Sequence, residues 1–161
     1  MEIVNVRIDE RLVHAQVAAV WASALNATRI IVIDDGAAQD EVQQVALKMA
    51  CPKSVKLTIL AADRAVEKLK EPAYPDDRIF IVMKGIKTLN KITKMGYIFP
   101  EVNIGNLNDK EGGIQIRRSV RLSDEQIALI LDLHEKGIKF VSQLVPSEDK
   151  VNLIDLIKEK V

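Results

Sequence analysis

The segment RIDERLVHAQV, running from Arg7 to Val17, places Arg7, Asp9, Arg11 and His14 in one short run that ends at a helix-like apolar stretch. These residue types at this spacing suit phosphoryl transfer. A helix that starts at His14 presents free N–H groups and the positive end of its dipole to an anion, a stabilisation of about 0.3 to 2 kcal/mol depending on burial. Arg11 lies three residues before His14 and Arg7 seven, so a loop folded back over the helix start brings both guanidiniums toward one phosphate. Each charge-assisted hydrogen bond of that kind contributes roughly 1.5 to 3 kcal/mol. Positive surroundings also favour the neutral, nucleophilic imidazole, which on attacking phosphorus becomes a phosphohistidine. Asp9 either hydrogen-bonds the far ring nitrogen or orients an arginine. In a plainer account, His14 merely caps the helix while the arginines are surface charges, and spacing alone does not separate the two.

The second histidine, His134, sits in DLHEKG near a helix end, where it faces solvent or meets the negative end of the dipole. The single cysteine, Cys51, excludes an internal disulfide and reads as a small residue closing a helix before Pro52.

Strands and helices must alternate to hold these groups in place. EIVNVRI reads as a strand, HAQVAAVWASAL as a helix, RIIVID as a strand covered on both faces, and a helix follows from about Asp40 to Met49. VKLTIL and RIFIVM repeat the pattern, with helices over Asp63 to Leu69 and Ile86 to Met95. EVNIG is a fifth strand, and the turn-rich NLNDKEGG, Asn106 to Gly113, is predicted to be an exposed loop. IQIRRSVRL is less regular, a short strand or hairpin. Ser123 and Gln126 form a capping box for a helix that Gly137 stops near Lys136. KFVSQL is a sixth strand, and Pro146 with Ser147 opens a last helix that packs through Val151, Ile154, Leu156 and Ile157.

Such alternation implies right-handed crossovers: a single three-layer α/β/α domain spanning residues 1–161, with a doubly wound, mostly parallel sheet of about six strands. Ligands in these folds lie beyond the carboxyl ends of the strands, which puts Asp9 to His14, Asp34, Asp35, Ala61 to Asp63, Lys84, Gly85, Gly105 to Asn108 and Gln143 to Ser147 on one edge.

The 161 residues suffice to bury roughly 70% of the unfolded surface without disulfides or metals. A 48% hydrophobic content with only 4% aromatics means an aliphatic core. Lys plus Arg and Asp plus Glu balance at 23 each, so the overall charge marks neither a nucleic-acid binder nor a ligand of anionic membranes. No apolar run approaches the roughly 20 residues of a spanning helix, and the protein is expected to be cytoplasmic.

The run RIDERLVHAQV, with Trp21 four residues on, followed in order by VIDD, ALKMACP, VNIGN and VPSE, resembles the enzyme IIB component of the mannose/fructose/sorbose family of the bacterial sugar phosphotransferase system. The likeness covers essentially the whole chain. It implies that His14 takes a phosphoryl group, generally on Nδ1, from a phosphohistidine of a IIA protein and passes it to a sugar carried by the membrane IIC and IID components. Arg11 and Arg7 are then charge stabilisers and Asp9 an orienting residue. The resemblance further implies peripheral association with the permease, allows a homodimer and leaves the sugar open among mannose, fructose, sorbose and amino sugars. Transfer between histidines requires no metal and no organic cofactor. Two positions depart from the family pattern: Ala15 stands where glycine usually follows the histidine, and Asn108 where many relatives carry a histidine after strand five.

Two other classes fit the same architecture. A nucleotide- or flavin-binding module is disfavoured because neither G-x-G-x-x-G nor G-x-x-x-x-G-K-[ST] occurs. A receiver phosphorylated on aspartate draws on Asp34, Asp35, Asp63 and Lys84, an acidic set that suits Mg²⁺, but it leaves His14 without a role.

Overall fold

A computed structural model of the chain describes residues 1–108 and 111–161. In chain order, β1 (Glu2–Asp9) leads to α1 (Ala15–Leu25), β2 (Arg29–Ile33), a 3-10 turn (Ala37–Gln39), α2 (Glu41–Ala50), β3 (Lys56–Leu60) and α3 (Ala62–Lys70). Then come β4 (Arg78–Met83), α4 (Ile86–Lys94), β5 (Glu101–Asn108), β6 (Ile114–Arg117), β7 (Val120–Leu122), α5 (Asp124–Glu135), β8 (Lys139–Ser142), β9 (Val151–Asn152) and α6 (Leu153–Lys160).

The five long strands are parallel in the order β3-β2-β4-β1-β5, and β5 splits its free edge, pairing with β8 through its first half and with β7 through its second. Among the described residues only the β6–β7 and β8–β9 pairs are antiparallel. Strand alternation divides the core in two. Val6, Ile8, Ile31, Ile81 and Ile104 point into a cluster with α3, α4, α5 and α6, whereas Ile30, Val32, Phe80 and Val82 point the other way, toward Trp21 of α1 and Leu47 of α2. The doubly wound three-layer architecture is as the alternation predicts.

The sheet is larger than six strands: among the described residues it has nine. The extra strands are two to four residues long, too short for periodicity to reveal. The segment IQIRRSVRL is the β6–β7 hairpin. β5 runs three residues past Gly105, because buried Leu107 pairs in register with Val120 and shortens the predicted loop from its front. Asp109 and Lys110 of that loop lie outside the described residues. The last helix does not open at Pro146 and Ser147. Val151 and Asn152 pair with β8 first, and Asn152 then caps α6 by accepting the Asp155 N–H at 3.2 Å. The capping box at Ser123 and Gln126 is present in both halves, at 3.1 and 2.9 Å, and Gly137 follows α5 at φ +111°, a left-handed conformation that favours glycine.

Candidate functional site

The parallel strands end on one edge, and the loop from Asp9 to His14 crosses it between the ends of β4 and β5. Four contacts fix this loop. Leu12 N–H donates to the Asp9 carbonyl at 2.9 Å, closing a turn, and Glu10 N–H donates to the Asn106 carbonyl at 3.0 Å. Asn108 N–H reaches the Glu10 carboxylate at 3.3 Å. Leu12 adopts φ +58°, a conformation that costs a branched residue about 1 to 2 kcal/mol, and its buried side chain packs into the α1–α2 core. The turn thereby anchors itself by an apolar contact.

His14 is the N-cap of α1 with extended backbone, and its carbonyl accepts the Ala18 N–H at 2.7 Å. Its side chain makes no capping hydrogen bond, is exposed, and has no hydrogen bond to its ring among the described residues. A capping histidine would spend a ring nitrogen on the first turn. Here the imidazole stands free at the mouth of that turn.

The segment that leads to it carries an Arg–Asp–Arg cluster. The Asp9 carboxylate, fully buried, accepts the Arg11 N–H at 3.0 Å and Nε–H at 2.9 Å on Oδ1, and an Arg11 Nη hydrogen at 2.9 Å on Oδ2. Oδ2 also faces Arg7 at 3.4 Å. Asp9 therefore orients arginines and not the histidine ring. Arg11 remains partly exposed, and its hydrogen bonds to Asp9 hold its guanidinium above the usual range, with burial opposing. One carboxylate shared by two guanidiniums leaves a net positive charge on the segment that leads to His14.

Arg7 is not beside Arg11 on the surface, as a shared grip on one anion requires. It is 1% exposed, because β1 alternation turns it into the α1 layer beneath the sheet edge. It donates to the Gln143 carbonyl at 3.0 Å and lies 5.2 Å from the centre of the Trp21 ring, while its Nε is buried without a hydrogen bond. Burial pushes its guanidinium below the usual range, against the pull of Asp9.

Asn103, Gly105 and Gln143 complete the cluster. Asn103 pairs with the Gln143 backbone in both directions at 2.9 Å, so the carbonyl that receives Arg7 is held from β5. Gly105 lies directly under the Arg7 guanidinium, and a Cβ there would overlap it. Trp21 Nε1–H donates to the Leu144 carbonyl at 3.2 Å, and Arg117 with Glu148 braces the same loop. Fold class alone puts Gly105 and Gln143 on the ligand edge and leaves Asn103 out; VNIG and FVSQL carry no motif that marks any of the three as neighbours of Arg7.

The acidic residues at the neighbouring strand ends serve as caps. Asp34 accepts the Ala37 N–H at 2.9 Å, Asp63 the Arg64 N–H at 2.8 Å, and Asp35 the Ala62 N–H at 2.8 Å together with Lys91 at 2.5 Å. Lys84, Glu10, Asp34 and Asn108 line a cavity of about 500 Å³ that adjoins the His14 loop. Among the described residues no group of His, Cys, Asp and Glu is arranged to hold a metal. A larger groove of about 970 Å³ follows β3 and the end of α2, away from the histidine. His134 is exposed and turns Nδ1 to the Ile138 carbonyl at 3.0 Å. No helix is long and apolar enough to cross a membrane, among the described residues.

Residues 3–161 match the family model of the sorbose-subfamily IIB component of the phosphotransferase system. The chain is 31% identical to the sorbose-specific EIIB component of Klebsiella pneumoniae, over 99% of this chain and 97% of that one. The crystal structure of the IIBSor domain of the sorbose permease from the same organism superposes with a TM-score of 0.91, covering 100% of this chain and 99% of that one. The mannose-specific EIIAB component of Escherichia coli K12 is 27% identical over 95% of this chain, which spans 47% of that longer protein. An exposed imidazole at a helix mouth, preceded in the chain by a buried carboxylate shared between two arginines, thus sits on the fold and within the sequence pattern of one phosphoryl-transfer family: the chain belongs to the mannose/sorbose family of phosphotransferase-system IIB components.

Proposed function

We propose that His14 is the phosphoryl carrier of this IIB component. Its neutral ring nitrogen, Nδ1 by family likeness, attacks the phosphorus of a IIA phosphohistidine, and the donor's N–P bond breaks as the new one forms. A hydroxyl oxygen of the sugar bound by the IIC and IID components then takes the phosphorus, and the His14 N–P bond breaks. Arg11 and the uncapped N–H groups of the α1 first turn stabilise the charge on the moving group. Asp9 aims Arg11. Arg7 acts at one remove, as a positioning residue: its buried charge offsets that of Asp9, so the charge of Arg11 is not cancelled at the site. No metal or organic cofactor takes part.

One observation carries this reading: the ring of His14 is exposed and makes no capping bond, at the exit of the loop in which Asp9 holds Arg11. The linkage of a IIA part to a IIB part in the mannose EIIAB relative supports a IIA protein as donor. The protein works at the cytoplasmic face, bound peripherally to its permease. The sugar is of the class handled by relatives whose names specify sorbose, mannose and N-acetylgalactosamine. Ala15, exposed beside the reacting ring, narrows the approach of the donor's backbone relative to glycine.

The test is transfer from labelled phospho-IIA to the wild type and to His14→Ala. The wild type takes up one phosphoryl group per chain and His14→Ala none. Equal uptake by both contradicts the assignment.

A further inference from the structure

The outer face of α2 carries three large apolar side chains in the open: Val42 at 81% exposure, Val45 at 60% and Met49 at 82%. Single exposed valines are ordinary; an aligned set is not. At 100° per residue the three fall within one narrow stripe, with the spacing of successive a, d and a positions of a heptad. Leu47, on the opposite side, is the residue that seats the helix in the core. The stripe therefore lies outside the packing of this chain.

Charge on its flank specifies what covers it. Glu41 and Lys48 are one heptad apart, so they lie on the same side of the stripe, at its two ends. Neither forms an ion pair with another described residue. When two such helices pack antiparallel about a dyad, same-side flanking positions meet with their order reversed. Glu41 of one copy then faces Lys48 of the other, and the symmetry repeats the pair. In a parallel arrangement these flanks lie on opposite sides of the seam, and the Glu41–Lys48 pair does not form.

We propose that α2 is a self-association surface, on which a second copy of this chain packs its own α2 antiparallel, Val45 against Val45 at the centre and Glu41 against Lys48 on either side. One helix pair covers less than the roughly 1,200–2,000 Å² of a stable specific interface, so the dimer forms and dissociates with concentration.

Sedimentation equilibrium of the full chain over a wide concentration range tests it, with helix content followed by circular dichroism. The wild type is expected to pass from monomer to dimer. Met49→Glu weakens association by about tenfold or more, since it places carboxylates in the apolar seam. Glu41→Lys and Lys48→Glu each weaken it a few-fold, and the double variant carrying both returns close to the wild type. A wild type that stays monomeric throughout overturns the proposal, and the stripe then belongs to another protein. A dimer indifferent to Met49→Glu, or a double variant no better than the singles, overturns it as well.

Discussion

Asp9 holds Arg11 at three points, the backbone N–H, Nε and Nη, so the guanidinium is fixed in direction although a third of it meets solvent. Arg11→Ala therefore removes an aimed charge and leaves the core untouched. Phosphorylation by phospho-IIA is predicted to slow by about 10- to 100-fold, the equivalent of one or two charge-assisted hydrogen bonds, with the melting temperature nearly unchanged. Arg11→Lys recovers little, because an ammonium cannot match the two-pronged grip on Asp9. Rapid-quench transfer kinetics read this directly, and an unaltered rate for Arg11→Ala removes Arg11 from the mechanism.

Gly105 gives Arg7 its space. Gly105→Ala sets a methyl group where the guanidinium lies, so Arg7 must shift from the Gln143 carbonyl and from Asp9. Overpacking of this kind costs about 1 to 3 kcal/mol in denaturant unfolding. The transfer rate falls along with stability, and the shorter cationic side chain of the double variant Gly105→Ala, Arg7→Lys restores part of both. If the double variant is worse than Gly105→Ala alone, the contact between these residues is not what the glycine protects.

Removing the buried charge itself is more severe. Arg7→Met leaves Asp9 buried with only Arg11 to oppose it, and breaking a buried ion pair in this way costs about 3 to 5 kcal/mol. Equilibrium urea unfolding is the measurement; a loss below 1 kcal/mol, within the range of about 0 to 1 expected for an exposed pair, contradicts the placement of Arg7.

At the opposite edge of the sheet, the hydrogen bond from Arg29 at 2.8 Å holds the Asp77 carboxyl below its usual range, with burial opposing and the Thr28 hydroxyl adding to the effect. A depressed folded value means that the unfolded chain binds this proton first as pH falls. The contribution of Asp77 to stability is thus complete above the ordinary aspartate value and disappears as pH drops through the folded one. Asp77→Asn should flatten the acid limb of the stability curve between those points. An acid limb identical to that of the wild type contradicts the pairing.

The architecture is legible in the sequence because its long parallel strands are continuous apolar runs, and RIFIVM coincides with β4 residue for residue. The short pairings are not: β9 is two residues long, and only its contact with β8 distinguishes VN from the start of a helix. Within the site, local spacing revealed what is local. Asp9, Arg11 and His14 occupy one turn and its exit, whereas Gly105 and the Gln143 carbonyl, which seat Arg7, come from β5 and from the loop after β8, about a hundred residues away or more. Arg7 itself illustrates the limit, since its charge suggests the surface while the alternation of β1 assigns it to the interior.

Mapping of the phosphorylated residue is the most direct measurement. The full chain is incubated with phosphoenolpyruvate, the general phosphotransferase proteins and a cognate IIA protein, then digested under alkaline conditions that preserve phosphohistidine. The predicted result is an acid-labile, base-stable modification confined to the peptide containing His14, lost in His14→Ala and retained in His134→Ala. A label on any other residue, or a base-labile acyl phosphate on Asp34, Asp35 or Asp63, contradicts the assignment of His14 as the carrier.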